Sequence, residues 1–283
     1  PAMRARIADQ KCLTGPSVLA HETLYWYDLI VGVFSRGTRK RQRQRKVIAE
    51  HLEINGGFRF HGKSIFVPDE VCLSIKSMIA DGSYEATECA LIGQYLPKDL
   101  PVIELGGCLG LVGSLIASKL APEVPHILVE ANPKLADACW HNAAQAGARP
   151  ATQIISKAIA YGGEQASFDV RSNVHTSRLS GSSEHGGTPV KAITLRELVA
   201  ALEAPRGYVL ICDIEGAEVE LLHQDVEALE NCALIVMEFH PLHDPAKGDI
   251  VEEMIDLVKN AGLEPVAREA DVVVFKRPEV SVS

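Results

Sequence analysis

Acidic residues recur where apolar runs end. Val102-Ile103-Glu104-Leu105 leads at once into Gly106-Gly107-Cys108-Leu109-Gly110, and His126-Ile127-Leu128-Val129 into Glu130-Ala131-Asn132-Pro133. Tyr208–Cys212 runs into Asp213-Ile214-Glu215-Gly216-Ala217-Glu218, and Leu234–Met237 into Glu238-Phe239-His240. A carboxylate at the end of a buried strand is costly unless something partners it. Glu104 would repel a pyrophosphate and attract an ammonium or a sulfonium. The glycines at 106, 107 and 110 let the backbone turn sharply and approach a ligand, or allow tight strand–helix packing. They depart from the spacing of a dinucleotide-binding turn. Glu130 lies 24 residues after Gly106, where an acid at the tip of the second strand accepts hydrogen bonds from both ribose hydroxyls. Asn132 and Pro133 also suit the start of a helix. Asp213 would face the same cleft and hold the cofactor or the acceptor, whereas Glu218 and Glu220 suit a helix N-terminus. His240 is the expected general base, since an unperturbed imidazole titrates near neutral pH. Glu215 would orient a partner or cap the next helix. His240, His243 and Asp244 have metal-like spacing, but Pro241 breaks any helix that would align them, so no metal is expected.

These residues need strands to carry them. Apolar strand candidates are 101–105, 126–130, 152–156, 207–212, 232–238, 264–268 and 271–275, with helical candidates at 110–121, 133–146, 194–203, 216–229 and 246–261. Alternation at this spacing predicts a doubly wound, mostly parallel seven-stranded α/β sheet with helices on both faces. Only Glu269 and Ala270 separate the last two strands, which predicts an antiparallel C-terminal hairpin. Ligands of open α/β sheets bind at the carboxyl ends of the strands, where the acids fall. Upstream, residues 17–54 read as a helix stopped by Asn55-Gly56-Gly57, Phe58–Val67 as a hairpin ended by Pro68, and 85–96 as a helix. Residues 55–83 and 171–188 read as loop-rich stretches that shape the acceptor pocket. The expected organisation is a helical basic appendage over 1–56, a hairpin and helix over 57–99, and the cofactor-binding domain over 100–283.

The composition fits an ordinary globule: 47% of the 283 residues are hydrophobic and 23% charged. Residues 1–50 hold ten Lys/Arg against four Asp/Glu, so the net −9 leaves −15 for the remainder. Such an acidic body argues against nucleic acid as a partner. The basic run from Arg36 to Lys46 reads first as a solvated face. The apolar stretch Leu29–Phe34 is too short to span a bilayer, so no integral membrane segment is expected. Seven scattered cysteines without CxxC spacing fit free thiols in a reducing cytoplasm. The N-terminal helical segment, with Tyr25-Trp26-Tyr27, is the expected site of a homodimer contact or of packing on the parent domain.

Tyr84-Glu85, Val102–Gly110, Val129-Glu-Ala-Asn-Pro133, Ser156-Lys-Ala-Ile-Ala160, Asp213-Ile-Glu-Gly-Ala-Glu218 and Glu238-Phe-His240, taken in order, resemble the FkbM family of S-adenosylmethionine-dependent methyltransferases. The likeness covers about residues 84–240, and the DxEGxE run is its most specific part. It implies a class I, Rossmann-like methyltransferase fold and usually O-methylation of a hydroxyl on a sugar or natural-product small molecule. It also implies a cofactor site built from Glu85, Glu104, Gly106, Gly107, Gly110, Glu130, Asn132, Ser156, Lys157, Ala158 and Asp213, with the adenine against Ser156-Lys157-Ala158. His240, Asp213 and Glu215 form the implied catalytic centre. Glu104 stands where the family more often has aspartate. The competing readings are a nucleotide-dependent oxidoreductase and a binding protein on the same fold that has lost catalysis.

Overall fold

In the computed structural model the described residues are 19–145, 151–169, 178–179, 188–202, 204, 206–240 and 250–278. The chain divides into two compact units, Pro1–Lys46 and Val47–Ser283. Helix α1, Leu19–Asn55, ends at Gly56, whose φ of +68° suits a residue without a Cβ. Along it Arg39, Lys40, Arg41, Arg43, Arg45 and Lys46 are all exposed, as expected of a solvated basic run. A short hairpin follows, β1 (Arg59–Phe60) and β2 (Lys63–Ser64), then α2 (Leu73–Asp81) and α3 (Ala86–Tyr95). Helix α2 corrects the expectation of a loop over 55–83. Within it Ile75 and Ile79 are the buried large apolar residues, one per turn, a pattern too short to stand out without the core beneath it.

The seven-stranded sheet is formed by β3 (Val102–Leu105), β4 (His126–Val129), β5 (Thr152–Ile155), β10 (Tyr208–Cys212), β11 (Cys232–Glu238), β12 (Glu264–Glu269) and β13 (Val272–Lys276), in the order β12-β13-β11-β10-β3-β4-β5. Strands β11, β10, β3, β4 and β5 run parallel, whereas β13 is antiparallel to both β11 and β12. This is the expected sheet with its terminal hairpin. The order proceeds outward from β3 to β4 and β5 on one side, and from β10 to β11 on the other. The direction of winding therefore reverses between β3 and β10, which opens a crevice at their carboxyl ends.

Helices α4 (Leu111–Lys119), α6 (Leu195–Leu202), α7 (Glu218–Asp225) and α8 (Ile250–Asn260) connect and cover the strands. Successive residues of a strand feed opposite cores. Ile103, Leu210 and Cys212 pack with α6, α7 and α8, whereas Val102, Val209 and Ile211 pack with α2, α3 and α4. Strands β3, β4, β10 and β11 are thus buried on both faces, which explains their unbroken apolar runs. The helix expected over 133–146 is a four-residue α5 (Ala136–Cys139) that widens into a π-helical segment, Trp140–Gln145. A second, smaller sheet adds β6 (Ala158–Ile159), β7 (Gln165–Asp169), β8 (Arg178–Leu179) and β9 (Thr188–Ile193) in the order β6-β9-β7-β8. Its strands are short or exposed, so no apolar run announced them. Most of the 171–188 stretch lies outside the described residues, as do Pro241, His243 and Asp244. No helix among the described residues is long and apolar enough to cross a membrane.

Candidate active site

The cleft opens where β3, β4, β10 and β11 end, and α3 closes it from the side. The turn after β3 is fixed by its neighbours. Gly106 and Gly107 both donate their amides to the Val129 carbonyl, at 3.0 and 3.1 Å, and Cys108 donates to Glu130 Oε2 at 2.7 Å. These three amides therefore hold the tip of β4. At Gly106, with φ +91°, a Cβ would lie 1.6 Å from the Asp213 carbonyl oxygen, and at Gly107 it would lie 2.0 Å from Leu128. Gly110 packs against the backbone of Cys139. The glycines are required by close chain packing, and Gly106 and Gly107 line the cleft as well.

Glu104 is buried in β3, and its Oε2 lies 2.8 Å from His126 Nε2 on β4. Glu130 is buried at the tip of β4, and its two oxygens accept from the Cys108 and Asn132 amides. Burial pushes its carboxyl up to about 7, against the pull of those two amides and with a smaller push from Glu104. Asn132 is buried and its Oδ1 accepts from the Lys134 amide at 3.1 Å, so it shapes the loop after β4.

The cleft is dense in acid. Asp213 follows β10, Glu215 lies in the turn into α7, Glu218 opens α7, Glu238 ends β11, Glu85 immediately precedes α3, and Glu88 lies in its first turn. Imidazole Nδ1 of His240 sits 3.0 Å from Glu218 Oε1, which also accepts from the Ile214 amide at 3.0 Å. Its Nε2 faces Asp213 Oδ1 at 3.6 Å and Glu215 and Glu238 at 3.9 Å each. Burial opposes protonation of this imidazole. The Glu218 hydrogen bond and the charges of Glu218, Asp213 and Glu215 outweigh it and raise His240 to about 9. Burial, then repulsion from Glu238 and Glu215, lifts Glu85 to about 7. Asp213 and Glu88 are pushed well above the usual carboxylate range by burial first and by neighbouring acids second. Glu85, Cys108 and Glu215 all hold left-handed backbone, at φ +46°, +45° and +55°. Such conformations persist where the surroundings over-determine them, commonly at ligand sites.

Of the residues expected at the site, Glu85, Glu104, Gly106, Gly107, Glu130, Lys157, Ala158, Asp213, Glu215 and His240 line one cleft. Gly110 and Asn132 support its walls, and Ser156 is exposed beside it. Sequence reasoning missed Glu88, gave Glu238 no role beyond its place in the Glu238-Phe239-His240 motif, and took Glu218 for a helix-end charge. Glu218 does open α7, but it is wholly buried and bonded to His240. An acid inside the apolar helix Ala86–Tyr95 is the signal that would have found Glu88.

An open sheet in this order, with five parallel strands, a final antiparallel hairpin and a cleft at the point where the winding reverses, defines a class I methyltransferase fold. The chain belongs to the FkbM methyltransferase family, whose methyltransferase FkbM domain matches residues 115–265, over half of the chain. It is 28% identical over 95 residues to the hexuronic acid methyltransferase AglP of Haloferax volcanii, a match spanning 34% of this chain and 39% of that relative's length. Similar solved structures include Aeropyrum pernix fibrillarin in complex with natively bound S-adenosyl-L-methionine, at 12% identity and a TM-score of 0.40, covering 67% of this chain and 72% of that one. Precorrin-6y C5,15-methyltransferase from Geobacter metallireducens is also 12% identical, with a TM-score of 0.40, covering 68% of this chain and 88% of that one.

Proposed function

We propose that this chain transfers the methyl group of S-adenosylmethionine to a hydroxyl oxygen of a sugar or natural-product small molecule. The observation that carries the reading is the acid lining of the cleft, where Glu85, Glu88, Glu104, Glu130, Asp213, Glu215 and Glu238 face only Lys157 and His240 as basic lining residues, and where a bound cation would favour the ionised carboxylates. A cofactor bearing an ammonium and a sulfonium offsets that charge, whereas a pyrophosphate would be repelled. The residues present therefore fit S-adenosylmethionine better than a dinucleotide, which weighs against an oxidoreductase.

On this reading Glu104 and the Gly106-Gly107 backbone meet the cationic end of the cofactor, and Glu130 offers its remaining lone pairs to the ribose. Lys157 and the buried, small Ala158 accept the adenine. When bound, S-adenosylmethionine supplies an electrophilic methyl. The protein's task is to hold the acceptor oxygen in line with it and to exclude water. Asp213, Glu215 and His240 converge beside the Gly106-Gly107 turn and orient the acceptor towards the methyl, and its hydroxyl proton passes into this cluster. With His240 raised to about 9, its imidazole is already protonated at neutral pH in the ligand-free protein, so the premise of an unperturbed base does not hold. The role of base is thus shared with the surrounding carboxylates.

The name of the Haloferax relative favours a sugar-acid acceptor within the proposed class. Incubation of the chain with methyl-labelled S-adenosylmethionine and a panel of hexuronic-acid glycosides tests this. Label retained in the sugar after mild alkaline treatment supports an ether, and so hydroxyl methylation. Label released by that treatment would point to an ester on the sugar carboxylate and overturn the hydroxyl assignment.

A further inference from the structure

The acid end of the cleft holds more negative charge than its hydrogen bonds account for. His240 Nε2 faces three carboxylate oxygens, from Asp213, Glu215 and Glu238, at 3.6 to 3.9 Å. Those separations are too long for hydrogen bonds. Cis ligands of a small divalent ion with bonds near 2.1 Å lie about 3 Å apart, so shifts of under about 1 Å would close a shell around an ion. One of those three carboxylate oxygens, Asp213 Oδ1, is buried with no hydrogen-bond partner. A buried carboxylate oxygen without a partner is expensive unless a cation meets it. Asp213, Glu218 and His240 each present a ligand atom within 4.8 Å of the others, and so do Glu85, Asp213 and Glu238. Asp213 belongs to both groups.

We propose that Asp213, Glu238 and the Nε2 atom of His240 bind a divalent cation at the acceptor end of the cleft, with Glu85 beside them and Glu218 as the positioning residue behind the imidazole. The Glu218 contact to Nδ1 is the arrangement that fixes the tautomer and direction of a metal-binding histidine. One imidazole among carboxylates suits Mn²⁺, which takes both donor types, better than the thiolate and imidazole sets that favour zinc. His243 and Asp244, the partners that sequence spacing offered His240, lie outside the described residues. The structure brings His240 a different set of partners, from β10, β11 and the turn into α7. The purpose of the ion rests on the proposed methyl transfer. Its open coordination positions would take acceptor oxygens and let a hydroxyl or a sugar carboxylate approach a wall of acids.

Titrating the full chain with Mn²⁺ alone, with no cofactor or acceptor, and following the free-ion electron paramagnetic resonance signal tests the site. The expected result is one saturable ion per chain, with ¹⁴N coupling from a directly bound imidazole in the pulsed spectrum. Asp213→Asn and Glu238→Gln should each weaken binding by at least about tenfold, and Glu218→Gln by about 10- to 100-fold. Glu264→Gln, on exposed β12, should bind as the wild type does. Asp213→Asn removes one of several like charges and is expected to fold, which circular dichroism checks. Glu238→Gln gives the same test from another strand. Absent binding, absent ¹⁴N coupling, or variants that bind like the wild type would overturn the site and leave protonated His240 as the counter-ion. S-adenosylhomocysteine binding is measured separately, so loss of the metal claim and loss of the methyltransferase reading remain distinguishable.

Discussion

Glu130 carries its charge at a cost. Burial raises its carboxyl from 4.5 to about 7 although two backbone amides favour the ionised form. Because the folded value lies above the unfolded one, its contribution to stability is fully present below about pH 4.5. It is lost as pH rises through about 7, a change on the order of 3 kcal/mol. We therefore expect denaturant titrations from pH 5 to 8 to show the wild type losing stability relative to Glu130→Gln; parallel curves for the two proteins would exclude the assignment. His240 presents the opposite case, an imidazole held by Glu218 amid carboxylates. On the proposed reading, His240→Ala should lower turnover by about 10²–10⁴-fold, the usual scale for losing an acid–base group, and leave cofactor affinity nearly intact. Equal losses in turnover and affinity would move His240 to the cofactor end.

Between the elements, two junctions decide how the cleft is held. At Gly106 a Cβ would overlap the Asp213 carbonyl, and φ is +91°. Gly106→Ala must therefore push β3 from β10 as well as strain its own backbone. A loss of about 3 kcal/mol or more is expected by thermal or chemical denaturation, and a near-native midpoint would show that the turn can relax. On the other side, buried Asn142 in the π-helical segment accepts from the Phe66 amide and donates to the Phe66 and Leu109 carbonyls, each at 2.8 Å. Asn142→Ala strands those groups and should cost about 2–3 kcal/mol; an effect below about 0.5 kcal/mol would mean that the loop holds without it. The sequence shows strands β3, β4, β10 and β11 clearly because each is apolar on both faces and ends at acids or glycine. It hides the π-helical segment, since widening a helix by one residue depends on what packs against it. The strand-end acids Glu104, Glu130 and Asp213 were readable as a site because an open α/β sheet gathers strand ends. Glu88 was not, because only tertiary packing brings α3 to the cleft.

At the scale of the whole chain, Val47–Ser283 contains both hydrophobic cores and the complete described cleft. Removing residues 1–46 should therefore leave a cooperatively folding protein that still binds the cofactor, as calorimetric unfolding can check. A broad, non-cooperative transition would show that the basic segment is part of the fold. We propose that this segment, with its aromatic run at Tyr25-Trp26-Tyr27, pairs two copies of the chain. Light scattering should then give a dimer mass for the full chain and a monomer mass after removal, and a monomer in both cases excludes the pairing. The acid-lined cleft is proposed to hold S-adenosylmethionine. Titration calorimetry of the full chain with S-adenosylmethionine tests it most directly, with NAD as the comparison. The expected result is saturable binding of one S-adenosylmethionine per chain, competed by S-adenosylhomocysteine, and no saturable heat with NAD. Saturable binding of NAD with none of S-adenosylmethionine would contradict it.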